Sequence, residues 1–153
     1  MKILKRILWI LAIILVVIQF IPKHLPESTP SGPMDISASG NVSADVATIL
    51  KTSCYDCHSN QTVLPWYSHV APFSFLISSD VKDGRKELNF SEWNTYSKRH
   101  KIRKLGDIKE QVEKGGMPKS VYTLIHRNAV LSDEQRSLIA KWADATGNKI
   151  LGE

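Results

Sequence analysis

The chain is poor in cysteine: its 153 residues hold two, Cys54 and Cys57. That is too few for the network of bridges that holds a small secreted scaffold together. No stretch alternates apolar and polar residues for long enough to argue for a sheet. An excess of one charge is also missing from most of the sequence. Of the 20 lysines and arginines, Lys2, Lys5 and Arg6 precede an apolar run, and the other 17 face 15 acidic residues. Binding to nucleic acid needs a clustered basic face. Only Lys98 to Lys104 is locally basic, so no nucleic-acid partner is expected. A chain of this size has room for one membrane segment and one small domain.

What is present begins with an apolar run from Ile7 to Ile21, interrupted only by Gln19 and stopped by Pro22. Spanning a bilayer takes about 20 apolar residues, and a signal-peptide core takes roughly 7 to 15. With Ile3 and Leu4 counted and Lys5 and Arg6 snorkelling, the run approaches a span. The following residues, Pro22 to Glu27, lack the small-x-small pattern of a cleavage site, so the reading favours an uncleaved anchor over a cleaved signal or a buried core helix. Positive charge on the N-terminal flank places that end in the cytoplasm and the rest in the periplasm. The membrane is thus one expected partner.

The chain divides into an anchor over residues 1–22, a flexible Pro/Ser/Gly linker over 23–42 and a folded domain over 43–153. Ser43 can cap a short helix whose Val46, Ile49 and Leu50 form one apolar stripe leading into Cys54. Pro65 and Pro72 predict turns. Phe73 to Lys82 suits a second helix, with Gly84 as its end. Ser91 can cap a third stretch, and Ile102, Leu105, Ile108 and Val112 recur at helical spacing, with Gly106 as a point of division. Gly115 and Gly116 stop this pattern, and Met117-Pro118 reads as loop. Ser132 to Gln135 is a capping box before an apolar face of Leu138, Ile139 and Trp142, closed by Gly147. The domain reads as all-α.

The segment Cys54-Tyr55-Asp56-Cys57-His58 carries the chemistry. Two thiols three positions apart can each bond a different haem vinyl group from one helical turn, and the next residue then lies under the iron as an axial imidazole. A lone Cys-x-x-Cys disulfide closes too small a loop to stabilise much. A thioredoxin-like pair expects a βαβ pattern, and structural zinc expects four protein ligands. The expected cofactor is one covalently attached haem c with its iron.

For the second axial position the candidates are Met34, Met117, His24, His69, His100 and His126. Met34 and His24 fall in the linker, and His100 sits within the basic run. Met117 is favoured because it lies on a loop bounded by two glycines and a proline, without helical apolar partners, and a thioether raises the reduction potential. A core methionine is the plainer alternative. His126 and His69 follow, and either would give bis-histidine iron.

The order of helix, Cys-x-x-Cys-His, turns, middle helices, Gly-Met-Pro loop and final helix resembles the class I cytochrome c plan. More closely, Cys54 to Asn60, Pro65-Trp66-Tyr67, Ala71-Pro72, Gly84-Arg85, Leu88 to Trp93 and Met117-Pro118 are similar to the bacterial haem-binding domain family, over about Val42 to Ala143. The resemblance implies a small periplasmic haem domain, often tethered by one N-terminal helix, with Cys54, Cys57 and His58 holding haem. It implies that Trp66, Tyr67, Phe90 and Trp93 pack around the macrocycle. The cytochrome plan further implies that Val46, Ile49 and Leu50 meet Leu138, Ile139 and Trp142. The run Lys98 to Lys104 is outside that plan, and suits either a solvated helix face or docking of an acidic partner or anionic lipid.

Function is therefore expected to be electron transfer with an unidentified redox partner, with His58 and Met117 on the iron, rather than catalysis. No general acid or base constellation is evident in the sequence. A haem enzyme or gas sensor with an open or displaceable distal site is the alternative, and a thiol oxidoreductase is a third.

Overall fold

The computed structural model describes residues 1–152, and every regular element among them is helical. Helix α1, Lys2–Val17, runs on into a 3-10 turn at Ile18–Phe20 and buries none of its residues. Its 19 residues to Phe20 have a mean hydropathy of 2.4, long and apolar enough to cross a bilayer.

Helix α2, Ala44–Ser53, starts where the Ser43 hydroxyl accepts from the Val46 N–H. Val46, Ile49 and Leu50 are all buried, as their spacing predicts. Cys54 breaks the helical path, and the four-residue α3, Tyr55–His58, follows at once. The Cys54 carbonyl accepts from the N–H groups of Cys57 and His58, at 3.2 and 2.9 Å. The three motif residues thus sit on one tight turn.

Helix α4, Phe73–Glu87, continues through Gly84. Helix α5, Lys98–Glu113, passes through Gly106 undivided, and α7, Asp133–Gly152, passes through Gly147. The expected breaks at these three glycines are corrected. A glycine inside a helix costs only about 1 kcal/mol, which tertiary packing readily offsets. Ser91 does not begin a helix either. Asn89 caps a 3-10 turn at Phe90–Thr95, and Ser97 caps α5 by accepting from the His100 N–H. The Ser132 box forms as expected: the Gln135 N–H donates to the Ser132 hydroxyl at 3.2 Å, and the Ser132 N–H donates to the Gln135 amide oxygen at 2.9 Å. Between α5 and α7 lies the short α6, Ser120–Ile125.

The core is built on the α5–α7 pair, with α2 laid against α7. Val46, Ile49 and Leu50 share one apolar cluster with Ile139 and Trp142, while Leu138 turns outward with 38% of its surface exposed. The expected helix meeting holds for five of the six residues and fails for Leu138.

The linker expected over 23–42 is in part core. Asp35 and Ile36 are buried, and the Asp35 carboxylate accepts from the Tyr55 hydroxyl at 3.0 Å, the Gln61 amide at 3.0 Å and the Ser37 N–H at 2.9 Å. A Pro/Ser/Gly-rich composition hid this because one buried carboxylate, not a periodic stripe, does the fastening. Asp35→Ala would leave the Tyr55 hydroxyl and the Gln61 amide without their acceptor. We expect a loss of about 2 kcal/mol or more in urea unfolding, where a free linker residue would give almost none.

Candidate haem-binding site

The site grows from the contact of α3 with the last turn of α4. The His58 ring places Nδ1 3.0 Å from the Gly84 carbonyl oxygen and 3.2 Å from that of Leu88. Both acceptors are carbonyls, so Nδ1 carries the hydrogen and Nε2 presents its lone pair. Burial lowers the pKa of His58 from its ordinary value, against the opposing pull of the two carbonyls, and so favours the neutral ring. A neutral imidazole whose second nitrogen is held by backbone is the arrangement that orients metal-ligating histidines.

Such an approach needs a residue without a side chain on α4. A Cβ at position 84 would lie 2.5 Å from the Cys57 carbonyl oxygen and 3.2 Å from the Cys57 Cβ. Arg85, next along α4, reaches over the other side of the turn and donates from Nε to the Ser59 carbonyl and from Nη2 to the Thr62 hydroxyl.

Cys54, Cys57, His58, Met117 and His126 all line one mostly apolar cavity of about 280 Å³. Both sulfurs, the imidazole and the two leading distal candidates therefore converge. Met117 is carried there by a loop tied back onto α5: Gly115 takes φ +70°, and the N–H groups of Gly116 and Met117 both donate to the Gln111 carbonyl. From α7, Arg136 donates to the carbonyls of Val112 and Met117, at 2.9 and 3.3 Å. The remaining candidates lie elsewhere. His24, His69 and Met34 are exposed outside the cavity, and His100 packs on the Tyr96 ring.

His126 is already engaged, with Nε2 2.6 Å from the Tyr67 hydroxyl and its ring stacked on Tyr122 at 4.3 Å. Tyr122 in turn donates to Asp56 at 2.7 Å, and Asp56 accepts from the Val63 N–H as well. These four side chains make a polar wall in the cavity. The sequence reading missed it, because residues 56, 67, 122 and 126 belong to four separate segments and share no local pattern. Of the aromatics expected around a macrocycle, Tyr67 lines the cavity. Trp66 is 81% exposed, while Phe90 and Trp93 lie in the core behind the site, Phe90 with its ring edge-on to His58.

The basic run is only partly solvated. Lys104 is buried and pairs with Glu87 and Asp107, so it is not free for a docking face.

Other chemistries fit less well. Burial, with Cys57 nearby, pushes the Cys54 thiol up to about 12, and burial with Asp80 and Asp56 pushes Cys57 up to about 11. A redox-active dithiol requires a lowered value. Among the described residues, no group of three or more His, Cys, Asp or Glu side chains is placed to hold a bare metal ion.

The haem-binding domain family model matches residues 13–145. No curated protein and no solved structure matches the chain.

Two outcomes follow from this geometry. Gly84→Ala drives a methyl group into the Cys57 carbonyl, and thermal unfolding should show a loss of about 1–3 kcal/mol. At pH 8.5, the native chain without haem should hold about a hundredfold less Cys57 thiolate than an ordinary thiol, and iodoacetamide labelling should be slower than after unfolding in urea by a comparable factor.

Proposed function

The chain belongs to the haem-binding domain family, and on that premise we propose that it is a membrane-anchored monohaem c-type cytochrome that transfers electrons on the periplasmic side. The observation that carries the reading is the His58 ring, held through Nδ1 by the Gly84 and Leu88 carbonyls beside the two thiols of the same turn. Cys54 and Cys57 would hold the haem through thioether bonds, and His58 Nε2 and the Met117 sulfur would take the two axial positions. When bound, haem supplies a one-electron couple at iron.

The chain's own residues tune and protect that couple. Carbonyls at the C-terminal end of α4 face the His58 N–H, which strengthens the imidazole as a donor. Arg136 and the Gln111 carbonyl restrain the Met117 loop, so a thioether there is held in place. His126 is a weaker candidate ligand, because Tyr67 already occupies its Nε2. The charges of Lys2, Lys5 and Arg6 support a cytoplasmic N-terminus and a periplasmic domain. The redox partner is a protein whose identity lies outside this chain.

One observation favours a second reading, a haem enzyme or gas sensor with a displaceable distal ligand. The polar wall of Tyr67, His126, Tyr122 and Asp56 provides hydrogen-bonding groups that a pure electron carrier does not require.

Pyridine haemochrome analysis of the matured protein should report one c-type haem per chain, which acidified organic solvent fails to extract. A colourless product, or an extractable pigment, rejects covalent attachment. The reduced wild type should bind carbon monoxide poorly and Met117→Ala should bind it readily. Rapid binding by the wild type would instead support the displaceable-ligand reading.

A further inference from the structure

The end of the membrane helix is fastened directly to the folded domain. Gln19 is the one polar residue in the apolar run, and it makes a two-way bond with the backbone of Ala71. Its amide oxygen accepts from the Ala71 N–H and its amide nitrogen donates to the Ala71 carbonyl, each at 3.0 Å. Lys23 donates to the His69 carbonyl at 2.8 Å, and the Ser78 hydroxyl donates to the His24 carbonyl. Four hydrogen bonds thus join residues 19–24, where the apolar helix ends, to residues 69–78. No length of free chain separates the two.

The same stretch exposes large apolar side chains. Trp66 is 81% exposed, Leu76 53% and Phe73 45%, with Val70 also exposed. Phe73 and Leu76 are three apart on α4 and so share a face. Trp66 and Phe73 both meet the edge of Tyr67, with ring centres 5.8 and 5.9 Å away, which makes the patch continuous with the cavity wall. A contiguous apolar patch on a folded domain marks an interaction surface. Aromatic and aliphatic side chains at the mouth of a membrane helix suit the headgroup boundary, where one side is apolar and the other wet.

We infer that the Gln19–Ala71 clamp holds the patch of Trp66, Val70, Phe73 and Leu76 against the bilayer that α1 crosses, so that the domain lies on the lipid surface with its cavity rim beside it. The inference rests on the reading of α1 as a membrane span. Its occupant is lipid because the clamp leaves the patch no distance from the helix exit, and because the stretch from Trp66 to Leu76 holds no Asp, Glu, Lys or Arg.

The test uses the full-length haem-loaded protein in vesicles of phosphatidylethanolamine and phosphatidylglycerol. Nitroxide is attached at single introduced cysteines, Leu76→Cys, Ile14→Cys in the anchor and Lys141→Cys on α7, since Cys54 and Cys57 are consumed by haem. Collision with oxygen relative to a polar nickel complex reports lipid contact. The ratio at position 76 should exceed that at 141 severalfold, with 14 higher still. Adding Gln19→Ala should bring position 76 down to the level of 141 while 14 and the visible spectrum stay unchanged. A watery position 76 with 14 in lipid overturns the docking and leaves the anchor standing. An unchanged position 76 in the Gln19→Ala protein overturns the clamp, and a watery position 14 overturns the anchor reading together with what is built on it.

Discussion

The structure depends on the contact between a histidine and the end of a helix. His58 is held by two backbone carbonyls from the last turn of α4, and a carbonyl group is a partner that mutation of its own side chain cannot remove. The demand then passes to Gly84. Only the absence of a side chain lets α4 come within contact of the Cys57 backbone, so the imidazole, the motif turn and the helix are set relative to one another by a single missing carbon. Arg85 locks the same approach from the other flank. The cavity lies where these elements meet the Met117 loop and α6.

A second constraint is the way chain outside the helical core is recruited to it. Asp35 brings a segment without periodic pattern under the Tyr55 hydroxyl, immediately beside the thiols. Burial and this carboxylate together raise the Tyr55 pKa well above its ordinary value, keeping the phenol protonated and the bond intact. The Gln19 clamp does the same for the N-terminal apolar helix. Attachment at both points shortens the path from α1 to the cavity and leaves little of residues 23–42 as free linker.

The polar wall gives the cavity a lining of two unlike kinds. Thiols kept neutral by burial line it together with a chain of phenol, imidazole and carboxylate contacts, whose carboxylate, Asp56, lies between the two thiols in the motif turn. Burial and the Asp56 contact keep Tyr122 protonated far beyond the neutral range, so it acts there as a hydrogen-bond donor. A cavity lined this way brings thiol, imidazole and thioether groups together with side chains able to hydrogen-bond.

Local chemistry was legible in the sequence wherever cause and effect lie within a few residues. The apolar run, the Val46–Ile49–Leu50 stripe, the reciprocal Ser132–Gln135 cap and the Cys-x-x-Cys-His turn all follow from short-range spacing, and together they sufficed for the all-α class and the family. The glycines were misjudged because propensity describes an isolated helix, whereas Gly84 and Gly147 serve packing against other segments. Asp35, Gln19, Arg136 and the Tyr67–His126 pair carried no signal, since each acts on a partner 19 to 59 residues distant. The sequence alone determined which residues had the chemistry for haem and which stretches would be helical. The tertiary structure decided which of them share a cavity, because that depends on how closely helices approach and on hydrogen bonds between segments that no local pattern encodes.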